Sequence, residues 1–204
     1  MLKTKKVMWF RIAGTCGIIA PILAFTFIYL AVTSYPQFSW MDNALSDLGV
    51  VPGVTAALFN YGLMITGIFI FIFSTGMFLF WGEKVLSRTG SFIFALACLS
   101  LIAIGVFPEN VKPAHYLVSV TFFVLMPTSM LVIAGAFWLI RQVGMAVFTL
   151  LVAVVAAAPW VLLFSVRIVS GVAVPEAISG LAGFIWVVVL SSKMLRDASQ
   201  AKIS

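Results

Sequence analysis

Residues 10–33 read FRIAGTCGIIAPILAFTFIYLAVT, and Arg11 is the only charged side chain in the run. A helix needs about 20 consecutive apolar residues to cross the hydrocarbon core of a bilayer, so this stretch is long enough to span. Lys3, Lys5 and Lys6 precede it, as basic residues precede a secretory signal. The apolar part of such a signal, however, covers only about 7–15 residues. The expectation is a retained transmembrane helix, not a cleaved leader.

Five further stretches have the same character, roughly 56–81, 91–107, 115–140, 145–169 and 177–192. The polar breaks at 40–53, 82–90, 108–114, 141–144 and 170–176 are short. They leave no room for a second domain, and successive spans must run antiparallel. Residues 1–204 thus read as a single transmembrane domain: an all-α, polytopic six-helix bundle.

Composition agrees. Of 204 residues, 63% are hydrophobic and 9% charged, with a mean hydropathy of +1.20. Soluble domains carry about a quarter charged residues and under half apolar ones. A soluble globular domain and a disordered chain are excluded, and two cysteines are too few for a disulfide scaffold. The formal charge of +6 is a topology signal. Lys3, Lys5, Lys6, Arg11, Lys84, Arg88, Arg141, Lys193, Arg196 and Lys202 fall on one side of the alternating spans, with only Lys112 and Arg167 on the other. By the positive-inside rule both termini face the cytoplasm, and the cell membrane is the expected location. Lipid is the expected partner, a membrane-protein partner or a second copy stays open, and nucleic acid is not expected.

The acidic residues lean the other way. Asp42, Asp47, Glu109 and Glu176 fall on the outer side with the single histidine, His115, leaving Glu83 and Asp197 inside. In the first outer loop Met41, Ala44, Leu45 and Leu48 keep helical spacing, an amphipathic stripe. Ser39 is placed to cap a short interfacial helix and Gly49 to end it in a left-handed turn. Trp40 suits the membrane interface. Asn43, Ser46 and Asp47 then share the other face, which either meets water or folds over the mouth of the bundle.

The remaining outer polar residues are Asn60 in the second helix, Glu109, His115 and Ser119 at the start of the fourth, Arg167 and Glu176. His115 and Ser119 are four apart and share a helical face. Histidine exchanges protons near neutral pH, and an Asp47 carboxylate is the expected partner to orient its ring. His115 and Asp47 are therefore the candidate acid–base pair. Ser46, Asn60, Glu109, Ser119, Arg167 and Glu176 are the candidate ligand-binding set. One histidine with two carboxylates is a poor zinc set, so no metal and no cofactor are expected. Arg167 either anchors at the interface or pairs with Glu176, Asp47, Glu109 or an anionic headgroup.

Inside the helices, Pro21, Pro127 and Pro159 are either kinks that widen a cavity or the prolines common in membrane spans. Ser179 with Gly183, and Ala153 with Ala157, allow close helix approach. Cys16 and Cys98 lack metal or redox spacing and read as packing residues.

Four short motifs carry a resemblance: Ser46-Asp47-Leu48-Gly49, Leu58-Phe59-Asn60, Gly105-Val106-Phe107-Pro108-Glu109, and His115. Through about the first 120 residues the chain resembles the membrane-protein family called domain of unknown function 998. The resemblance implies a six-helix bundle and brings no activity or cofactor. It draws attention to Asp47, Asn60, Glu109 and His115. Seven-helix intramembrane lipid hydrolases are a remoter comparison, from which one histidine and six spans depart. Two readings remain open: an outer pocket for a lipid or amphipathic small molecule, with acid–base chemistry, or a non-catalytic subunit whose polar groups stitch the helices together.

Overall fold

The computed structural model describes residues 2–81, 84–166 and 170–200. It contains α1 (Leu2–Thr33), α2 (Val54–Phe80), α3 (Val85–Val106), α4 (Ala114–Leu139), α5 (Val143–Val166) and α6 (Ala173–Gln200), and all six are long and apolar enough to cross a membrane. A 3₁₀ helix, Leu45–Val50, lies between α1 and α2, and no strand occurs among the described residues. This is the six-helix membrane bundle the spacing predicts.

Several helices overrun the hydropathic boundaries. Apolar content sets where a chain can sit in lipid, but a helix stops only where its backbone is broken. Residues 193–200 contain no Pro or Gly, and α6 continues to Gln200 with Lys193 and Asp197 paired at 3.1 Å one turn apart. Pro21, Pro127 and Pro159 all lie inside uninterrupted helices.

Each helix packs on its neighbours in sequence, and α6 returns to pack against α1. The result is a closed ring of six. Apolar side chains such as Phe164, Val161 and Leu151 cover its outside, and α5 is the least buried helix. In water such a surface would aggregate; against acyl chains it is at home.

The interior differs between the two ends. In the half away from the first loop, Trp186, Phe73, Met77, Met130, Leu190 and Met194 fill the axis and are almost wholly buried. Trp186 stacks edge-on with Phe94 at 5.1 Å and donates its indole N–H to Thr149 Oγ1 at 3.1 Å. In the half beneath the first loop the axis is hollow.

The first loop is helical over a shorter stretch than its apolar spacing suggests. Ser39 Oγ donates to Asp42 Oδ2 at 2.7 Å, and the Ser39 N–H donates to Asn43 Oδ1 at 2.9 Å. Short polar side chains here satisfy the backbone in turns and compete with a helix. Only from Leu45 does the chain coil. Leu45 and Leu48 are buried, while Met41 stays exposed. Gly49 does not make the left-handed turn; the glycine with a positive φ, 93°, is Gly53, which precedes α2. Gly49 is small for another reason: a Cβ there would sit 2.6 Å from Asn60 Oδ1.

Candidate functional site: a capped cavity

The 3₁₀ helix is tied to the bundle from three sides. On its own side, Asp47 Oδ2 accepts the Ala44 N–H at 2.9 Å and the Asn43 Nδ2 amide at 2.7 Å, closing the turn from within. On the α2 side, Asn60 Nδ2 donates to the Gly49 carbonyl at 2.9 Å. On the α6 side, the Gly171 N–H donates to the Met41 carbonyl and the Ala173 N–H to the Asn43 carbonyl, both at 2.9 Å. Ser170 Oγ adds a 2.8 Å bond to Asp42 Oδ1. The strongest tie is inside: the Leu45 N–H donates to Glu176 Oε2 at 2.6 Å. The loop therefore folds over the mouth of the ring.

Beneath it is a cavity of about 90 Å³, walled by every helix except α5. Most of the wall is apolar, with Phe59, Phe94, Leu101, Phe122, Met126 and Phe184 among its side chains. Among the described residues the hydroxyl and carboxyl side chains of the wall, Ser46, Ser119 and Glu176, lie at the loop end. Trp186, buried edge-on against the cavity-lining Phe94, borders the other end. Phe184 also lines a second depression on the lipid-facing surface between α1 and α6, with Pro21 and Phe25. One aromatic ring thus borders both the interior space and the bilayer side.

The two candidate acid–base residues belong to adjacent but separate hydrogen-bond sets. His115 is buried, with Nδ1 2.8 Å from the Phe107 carbonyl and Nε2 3.3 Å from Ser119 Oγ. A carbonyl only accepts, so Nδ1 carries the proton; in the neutral ring Nε2 then accepts from the Ser119 hydroxyl. The residue that orients the ring is therefore the Phe107 carbonyl, where the sequence suggests Asp47. Asp47 instead serves the loop turn and lies against Glu109, to which Ser46 Oγ donates at 3.3 Å. Each set sends one hydroxyl to the cavity wall, Ser119 from the His115 set and Ser46 from the Asp47 set. Asp47, Glu109 and His115 stand behind those hydroxyls, and Asn60 supports the loop.

Ser119 is unusual among the helical hydroxyls. Thr121, Thr128, Ser100 and Ser192 all donate to the carbonyl four residues back. Ser119 pairs with the His115 ring instead. Burial pushes the Glu109 carboxyl above its ordinary value, and the facing Asp47 carboxyl adds to the rise against the opposing Ser46 hydroxyl and Lys112. Asp42, by contrast, is held below its ordinary value by the Ser39 and Ser170 hydroxyls.

Arg167 lies outside the described residues. Among the described residues no group of three or more metal-ligating side chains converges. Sequence reasoning missed the aromatic walls and Gly180, which lines the cavity and has open space where a Cβ would be. The pair Gly180 and Gly183, three apart on α6, was the legible signal; of the two, Gly183 is packed against Met126.

A closed ring of six spans around an end-capped cavity defines a polytopic helical membrane protein. Residues 18–193 match the family described as protein of unknown function (DUF998), and the chain belongs to that family. The match takes in α5 and most of α6, beyond the motifs near the first loop. Comparison with curated proteins and with solved structures gives no match.

Proposed function

We propose that this protein binds a single-chain amphiphile in the hollow half of the ring, the apolar chain along the axis and the head beneath the first loop. One observation carries the reading: among the described residues the cavity wall is apolar along its length and polar at its capped end. Ligand pockets are typically apolar with a few placed polar groups, and their volumes run to about 300–1,000 Å³. A space of about 90 Å³ suits a segment of one slender chain. The distribution of Lys and Arg supports an outward-facing capped end, so the occupant comes from that leaflet.

The acid–base pair that reaches the cavity in this reading is Ser119 backed by His115 Nε2, with Asp47 positioning the loop. The competing subunit reading draws its support from the mutual bonds of the loop residues, which stitch the bundle without help from a ligand. Native mass spectrometry of the full chain released from detergent separates the two. The expected result is an adduct with the mass of a single-chain amphiphile, lost in Gly180→Leu, which fills the cavity. A companion protein and no small-molecule adduct would establish the subunit reading.

A further inference from the structure

The head end of the cavity has a definite electrical character. Glu176 lines it, and its Oε2 is committed to the Leu45 N–H. Among the described residues its second oxygen has no hydrogen-bond or ion-pair partner. Asp47 and Glu109 stand within electrostatic reach of it. Among the described residues no Lys or Arg lines the cavity. Of the basic residues near this end, Lys112 is exposed and Arg167 lies outside the described residues. His115 presents an N–H to Phe107 and a lone pair toward Ser119, so it adds no donor to the cavity.

Buried carboxyls are ordinarily paired with a cation or fully hydrogen-bonded. Here one half of that requirement is met by the protein and the other half faces the empty axis. An anionic head would meet the Glu176 carboxyl, with Asp47 and Glu109 within electrostatic reach behind it, and among the described residues only serine hydroxyls as donors.

We infer that the amphiphile's head is a primary amine, which Glu176 receives through its free oxygen while Ser46 and Ser119 accept from the remaining ammonium protons. This deepens the amphiphile-binding reading and rests on it. An ammonium carries three donors and no acceptor, and the wall at this end offers acceptors. A phosphate or carboxylate head is rejected by the same groups, which gives the site selectivity by repulsion as well as attraction.

The test uses the full chain in a neutral detergent and three probes of equal chain length: dodecylamine, dodecanol and dodecanoate. Thermal midpoints are read for the wild type, Glu176→Gln and Gly180→Leu. In the wild type the amine should stabilise most, the alcohol less and the carboxylate least. Glu176→Gln keeps a carbonyl oxygen for the Leu45 N–H, so the fold is retained. It should weaken the amine about tenfold, the scale of one charge-assisted hydrogen bond, and leave the alcohol nearly unchanged.

A carboxylate that stabilises the wild type as well as the amine overturns the head-group inference. So does an unaltered order in Glu176→Gln. If Gly180→Leu responds to all three probes as the wild type does, the cavity reading itself fails. The wild-type ranking decides the matter even where a variant folds poorly.

Discussion

The two halves of the ring are built from the same helices and the same kinds of residue, yet one is packed solid and the other is not. In the solid half Trp186, Phe73 and Met194 meet on the axis, and glycines bring the helices close: a Cβ on Gly17 would run into Ser191 Oγ and the Phe73 ring. In the hollow half aromatic side chains line the wall without crossing the axis, and a Cβ on Gly180 would meet nothing within 4 Å. Stability resides in the first half. The second keeps an unfilled space beneath a loop held by hydrogen bonds.

The sharpest way to break this contrast is Trp186→Ala. Removing a fully buried indole should lower stability by on the order of 3–5 kcal/mol, read as a lower unfolding midpoint in detergent, and should extend the hollow downward. Paired glycine substitutions come next. Gly17→Val overpacks the solid half and should cost about 1–3 kcal/mol. Gly180→Leu fills the hollow half, so its unfolding midpoint should stay level or rise while amphiphile binding is lost. Equal destabilisation by both would abolish the distinction between the halves.

A smaller effect is expected at the cap. Asp47→Ala frees the Ala44 N–H and the Asn43 amide, and loss of such a turn-closing carboxylate typically costs about 1 kcal/mol. Hydrogen exchange should quicken in residues 44–50 and leave the solid half unchanged.

The smallest effect is the pH response of Glu109. Its native value is raised above 4.5, so below 4.5 both folded and unfolded chains hold the proton. As pH climbs from 4.5 to the higher native value, the unfolded chain releases a proton that the native state keeps. Stability therefore falls with rising pH across that interval. Glu109→Gln should flatten this part of the stability–pH curve and leave other parts alone.

The six spans were legible because lipid imposes one crude demand, length of apolar sequence, that every helix must meet separately. Helix ends were less legible. Hydropathy at Lys193 says nothing about where hydrogen bonding stops, and α6 runs on. For the site, alternation of sides was enough to collect Asp47, Glu109, His115, Ser119 and Glu176 at one end of the bundle. Their pairings were not readable, because they depend on backbone groups carrying no sequence label: the Phe107 carbonyl for His115, the Leu45 N–H for Glu176. The cavity was least readable of all. Whether Phe59 or Phe122 crosses the axis or lies along the wall follows from helix rotation, which a near-uniform apolar surface does not encode.

The closure of the ring has a mechanical side. Five of its six interfaces join helices that follow one another in the chain, each bridged by its connecting loop. The sixth, between α1 and α6, joins the first helix to the last with no connecting loop, and is held at the cap end by hydrogen bonds between residues 170–176 and the first loop. Phe25 and Phe184 meet at that seam with ring centres 5.4 Å apart, beside the shallow depression that faces the bilayer. That joint lies beside the hollow, and Phe184 is the side chain that borders both the interior space and the bilayer face there.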